Sequence, residues 1–162
     1  MIRIARIISR LFVGLIFIFS GFVKGVDPLG TAYKIEDYFI AFGTDWAIPF
    51  ALPLAVLLCV TEFSLGVFLL FNIFKKFTAW LVTLMMIFFT LLTLNDAIFT
   101  PVPDCGCFGD FLILTNWETF YKNLVIDFFL IFIFFTRNSF DNIYKKTTEW
   151  SLAILIVIGF TL

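Results

Sequence analysis

Apolar residues in this chain come in long runs and do not alternate with polar ones. The first run extends from about Ile4 to Val23 and the second from about Ile48 to Phe71. The third covers about Phe77 to Thr100 and the fourth about Thr119 to Thr136. A helix needs about 20 apolar residues to cross a hydrocarbon core. The pattern therefore predicts an all-α chain built as a transmembrane four-helix bundle over residues 1–136. A charged linker, 137–149, follows. From Trp150 to Leu162 a fifth apolar run begins, only 13 residues long. It reads as the incomplete start of a fifth transmembrane helix, as if a longer protein had been cut there.

Between the first two runs the chain is more polar. Tyr33, Ile35, Tyr38, Phe39 and Phe42 recur on one helical face before Gly43. This spacing predicts a short amphipathic helix lying in the membrane interface, with Trp46 as an anchor. Pro49 and Pro53 fall in the first turns of the second run, where proline is tolerated or kinks the helix. Gly14 and Gly21 allow a neighbouring helix to approach the first run closely, although their seven-residue spacing is not the tighter Gly-x-x-x-Gly motif.

Composition supports the membrane reading. The chain of 162 residues is 62% hydrophobic and 14% charged, with 25 Phe, against about 45–50% apolar in soluble domains. Long unalternated runs exclude a β-barrel pattern. A net charge of −1 leaves no basic patch for nucleic acid. The absence of His removes the commonest general base and a common metal ligand. Basic residues at Arg3, Arg6 and Arg10 resemble the start of a secretory signal. No small-residue cleavage site follows, so the first run reads as an uncleaved helix. Lys75, Lys76, Arg137, Lys145 and Lys146 fall on the same side as these arginines if all four helices span. That side is expected to be cytoplasmic.

The other side receives the segment Pro101-Val102-Pro103-Asp104-Cys105-Gly106-Cys107-Phe108-Gly109-Asp110, part of a loop expected over Pro101 to Glu118. Its prolines and glycines break any regular helix, and its outward placement permits disulfide chemistry. Cys105 and Cys107 are thus candidate catalytic residues for thiol–disulfide exchange. A disulfide between them would close a small strained ring, which Gly106 helps to form and which is easier to reduce than a structural bridge. Asp104 and Asp110 are expected to oppose thiolate formation. An inert staple across the turn, or a metal site of two thiolates and two carboxylates, remains open at this point.

Ionisable residues within the apolar runs form a second set: Lys24, Glu62, Asp96, Lys122 and Asp127. A charge in hydrocarbon costs about 2.5–3.5 kcal/mol on insertion scales, so these side chains are expected to face the bundle interior. A rise of about 1.5 Å per residue puts Lys24, Asp96 and Lys122 in one layer beneath the cysteine loop. Glu62 lies deeper and is a candidate for protonation. Asp127 has no basic partner at its depth, so a raised pKa is expected. Cys59 reads as a small buried apolar residue.

The chain resembles the DoxX/MauE group of small four-helix membrane proteins over roughly residues 4–136. The resemblance rests on Arg10 with Gly14, Phe19-Ser20-Gly21-Phe22-Val23-Lys24, Asp27-Pro28, Glu62-Phe63-Ser64-Leu65-Gly66 and, most specifically, Pro103-Asp104-Cys105-Gly106-Cys107-Phe108-Gly109-Asp110. It implies a protein of the bacterial cytoplasmic membrane linked to redox chemistry. In its mechanism the chain is similar to membrane oxidoreductases of the vitamin K epoxide reductase and DsbB type, which implies a quinone as a candidate electron acceptor. The second outward cysteine pair of those proteins is lacking here. That points to a periplasmic thioredoxin-like or disulfide-bearing partner, or to a fused C-terminal domain. Two other functions compete: a non-catalytic membrane subunit with a structural Cys105–Cys107 disulfide, and a small-molecule carrier using Glu62 and Asp127.

Overall fold

A computed structural model describes residues 2–103, 105–112, 114–136 and 145–161. Helix α1, Ile2–Val26, leads through Asp27 into α2, Pro28–Ala41. Asp27 caps α2 by accepting a hydrogen bond from the Gly30 N–H at 3.0 Å, and Pro28 sits at the first helical position, where a missing N–H costs nothing. A 3-10 turn, Asp45–Phe50, enters α3, Ala51–Phe71. Helix α4, Lys75–Phe99, is followed by a short extended segment β1, Cys107–Asp110, then by α5, Asn116–Thr136, and α6, Lys146–Thr161.

Four segments are long and apolar enough to cross a membrane: Ile4–Val26, Asp45–Phe71, Lys75–Phe99 and Asn116–Thr136. They carry the expected four-helix bundle, and the chain is a multi-pass membrane protein. Helix α6 has 16 residues and lies along α3, with Phe160 stacked on Phe63 at 4.1 Å and Trp150 set edge-on to Phe74 at 5.0 Å. Arg137 to Tyr144 of the expected linker lie outside the described residues.

The tightest packing is between α1 and α3. A Cβ on Gly66 would stand 2.8 Å from the Gly14 carbonyl, and one on Gly21 would stand 2.5 Å from the Phe63 nitrogen. Backbones approach this closely only where side chains are absent. Val13, Phe17, Leu65, Val82, Ile126 and Leu130 fill the interior between these helices and α4 and α5. At one end Arg10 donates to the carbonyls of Leu69 and Leu70 at 3.0 and 2.9 Å, serving acceptors that the end of α3 leaves open.

The expected short helix before the second span is α2, and its Ala32, Ile35 and Phe39 pack onto Ala51 and Ala55 of α3. Tyr33 and Phe42, assigned to the same apolar face, are exposed, as is Trp46 at 77%. Helix α5 begins at Asn116, three residues before Thr119. The reason is a capping box: the Glu118 carboxylate accepts from the Thr115 N–H at 2.9 Å, and the Glu118 N–H donates back to the Thr115 hydroxyl at 3.3 Å.

Candidate functional site

The Cys105-Gly106-Cys107 turn sits over the end of α1 and against α2. Gly106 has φ +61, and a Cβ there would come within 2.8 Å of the Lys34 Cγ. Both facts select glycine: the left-handed backbone disfavours any Cβ, and the Lys34 stem occupies its space. The turn brings the sulfurs of Cys105 and Cys107 to 2.8 Å while both remain free thiols. They need close by less than an ångström to reach disulfide bonding distance, about 2.05 Å. Phe108 anchors the far side. It is buried, packs against Phe19 at 5.5 Å, and carries the Lys122 ammonium 4.4 Å above its ring.

The two thiols are not equivalent. The hydrogen bond from Cys105 lowers the Cys107 thiol to about 6; Lys122 and Lys24 act in the same direction, against burial. Cys105 moves the other way, raised by donating that bond and by its own burial. One proton thus serves both sulfurs, with the negative charge on Cys107. Asp104 and the Asp110 side chain, expected to oppose ionisation, lie outside the described residues.

Beneath the turn lies a buried ion pair. The Lys24 ammonium donates to both Glu62 oxygens, at 2.7 and 2.8 Å, and each residue is 4% exposed. Ser20 stands 2.9 Å from Glu62 and 2.8 Å from the Cys107 carbonyl. Its single hydroxyl proton serves one of these acceptors at a time. Ser20 therefore connects the cysteine turn to the charged pair.

Lys24, Asp96 and Lys122 do not pair with one another: Lys24 and Lys122 line one small cavity beside Cys107, and Asp96 takes a different partner. Lys24 turns to Glu62, expected deeper and as a candidate for protonation, because the glycine contacts press α1 against α3. Asp96 is fully buried and accepts from the Tyr38 hydroxyl, which reaches it because α2 folds back over the bundle. Burial, then the bond to Asp96, raises the Tyr38 phenol above its ordinary value. Lys122 stays with Phe108. Asp127 lies apart from the thiols and accepts from Thr90 at 2.7 Å. Cys59 is buried, with its backbone carbonyl against Gly21 of α1.

Ser20 and Tyr38 join this cluster although the sequence pattern does not single them out. Ser20 had a legible signal: it precedes Lys24 by four residues and so shares its helix face. Tyr38 had none, since its partner lies 58 residues away on another helix. No group of three or more Cys, Asp or Glu suited to a metal occurs among the described residues.

The family description that matches this chain is methylamine utilisation protein MauE, over residues 2–136. No curated protein matches the chain, and no solved structure does.

Proposed function

The chain belongs to the MauE family of membrane proteins, and from that premise we propose that it performs thiol–disulfide exchange through Cys105 and Cys107. The observation that carries this reading is the geometry of the pair: two free thiols stand 2.8 Å apart on a turn that requires glycine. Lys24 and Lys122 both favour ionisation of Cys107. Cys107 is the attacking nucleophile. Its thiolate attacks a sulfur of a partner disulfide, one partner thiolate leaves, and a mixed disulfide forms. Cys105 then loses its proton and attacks Cys107, releasing the second partner thiol and closing the Cys105–Cys107 disulfide. Lys24 and Lys122 stabilise the negative charge before attack.

The partner is a periplasmic thioredoxin-like or disulfide-bearing protein, free or fused C-terminal to the bundle. In this reading the protein sits in the bacterial cytoplasmic membrane with the cysteine turn outward. The support for that orientation is the clustering of Arg6, Arg10, Lys75, Lys76, Lys145 and Lys146 at the opposite end.

The test is a redox titration of Cys105 and Cys107 in native membranes, read with a membrane-impermeant thiol tag across poised glutathione buffers. Reversible titration above about −250 mV is expected for an exchange protein. A pair that stays oxidised below about −300 mV is a structural staple, and the protein is then a membrane anchor.

A further inference from the structure

A groove of about 500 Å³ opens beside the thiols, and Cys105, Cys107, Lys34 and Tyr38 share its polar end. Lys34 and Tyr38 stand four residues apart on α2 and so lie on one side of that helix. The Lys34 stem lies against Gly106 of the turn. Tyr38, one helical turn further on, lines the same groove and feels negative charge on either sulfur. Its hydroxyl donates to Oδ2 of Asp96. Asp96 is fully buried, and its other oxygen, Oδ1, has no hydrogen-bond partner. The phenol thus stands between the groove that holds the thiols and a carboxyl on α4.

We propose that Tyr38 and Asp96 take the proton that Cys105 gives up in the second step of exchange. The inference rests on the exchange function above and assigns the base which that step needs. Cys105 holds its proton in the resting pair, so its attack on Cys107 requires an acceptor. The chain has no His to serve as that base. Glu62 accepts from Lys24 with both oxygens, and Asp127 is bound to Thr90 away from the thiols. Among the described residues that leaves Asp96, reached from the groove through the Tyr38 phenol.

The step balances. In the mixed disulfide, Cys107 is bonded to a partner sulfur. The Cys105 proton passes to the Tyr38 oxygen as the phenol proton passes to Asp96. The freed Cys105 thiolate bonds to the Cys107 sulfur, the bond from Cys107 to the partner breaks, and its electron pair leaves on the partner thiolate. Asp96 then returns the proton, by way of Tyr38, to that thiolate in the groove. The dithiol is oxidised, the partner disulfide is reduced, and one proton has moved from Cys105 to the partner. Tyr38 and Asp96 end as they began.

The experiment uses the full chain in lipid nanodiscs, with the pair reduced and one equivalent of dithiodipyridine as the partner disulfide. Each step releases one coloured thiopyridone, so attack and resolution appear as two phases. Cys105→Ala should show the first phase alone, which assigns them. Asp96→Asn keeps an acceptor for the Tyr38 hydroxyl but takes no proton. It should leave the first phase unchanged and slow the second by about 100-fold, the low end of general acid–base catalysis. Imidazole, small enough to enter the groove, should restore the second phase, while hydrogen exchange over α2 stays at its native level. Tyr38→Phe cuts the same route and should show the same split, with or without loosening of α2. An unchanged second phase in either variant, equal slowing of both phases, or a slow second phase that imidazole does not restore overturns the relay and leaves the exchange function standing. A native chain that releases no thiopyridone, or only the first equivalent, overturns the exchange function itself.

Discussion

The carbonyl of Cys107 rests 2.8 Å from the hydroxyl of Ser20, 87 residues earlier in the chain. That contact ties the reactive turn to α1, one helical turn from Lys24, and through it to the buried Lys24–Glu62 pair. Ser20→Ala removes the connection and should cost about 1–3 kcal/mol, because a buried acceptor loses its donor. The turn should loosen, and the Cys105–Cys107 reduction potential should move while α1 stays helical. An unchanged potential would show that the Ser20 contact does not hold the turn.

Ionisation of Cys107 sets the pH dependence of the pair. Alkylation of the reduced protein, with Cys105→Ser as the assignment control, should rise with pH to a half-maximal rate near about 6 and then level off. The folded value lies below the ordinary thiol range. The stability that ionisation adds is therefore present above that range and is lost as pH falls through about 6. Cys105→Ala removes the hydrogen bond that is the largest cause of the shift and should titrate higher, whereas Cys105→Ser keeps a hydroxyl donor. Lys122→Met should also move the midpoint upward. A midpoint in the ordinary thiol range for the native protein would remove the assigned asymmetry.

Glu62→Leu leaves Lys24 as an uncompensated buried ammonium. Breaking such a pair costs about 3–5 kcal/mol, read as a lower denaturation midpoint in detergent or nanodiscs. The double variant Lys24→Met with Glu62→Leu should recover most of that loss, since an apolar pair needs no desolvation. It should still show a raised Cys107 midpoint, because the ammonium is gone. Additive losses in the double-mutant cycle would deny the coupling.

The glycine contacts are the condition for the ion pair. Gly21→Leu sets a side chain against the backbone of Phe63 and Cys59 and should destabilise by at least about 1–3 kcal/mol, as overpacking does. It should also part Lys24 from Glu62 and shift the Cys107 titration with it. Gly106→Ala tests the turn alone. The left-handed backbone costs about 1–2 kcal/mol for a residue with a Cβ, and the loss should appear in the thiol potential more than in global unfolding.

Tyr38→Phe leaves the buried Asp96 carboxyl without its phenol. A loss of about 1–3 kcal/mol is expected, together with release of α2 from the bundle, detected as faster hydrogen exchange over Pro28–Ala41. Unchanged protection of α2 would place its anchorage entirely in Ala32, Ile35 and Phe39.

The membrane class and the number of spans follow from run length and composition alone. The sequence also marked Cys105 and Cys107, because a Cys-x-Cys turn among prolines and glycines has a local signature. The early start of α5 was legible too, in the Thr115-x-x-Glu118 spacing. Which charges meet depends on how the helices pack. Depth along a helix can be counted at a fixed rise per residue, and that count placed Lys24 near Asp96. The direction in which a side chain faces around its helix depends on how neighbours pack, and Gly14, Gly21 and Gly66 turned Lys24 toward Glu62. The same holds for Tyr38 and Asp96, joined by the folding of α2 onto α3, and for the groove beside the thiols. A void between helices has no residue of its own and is defined by what its neighbours fail to fill.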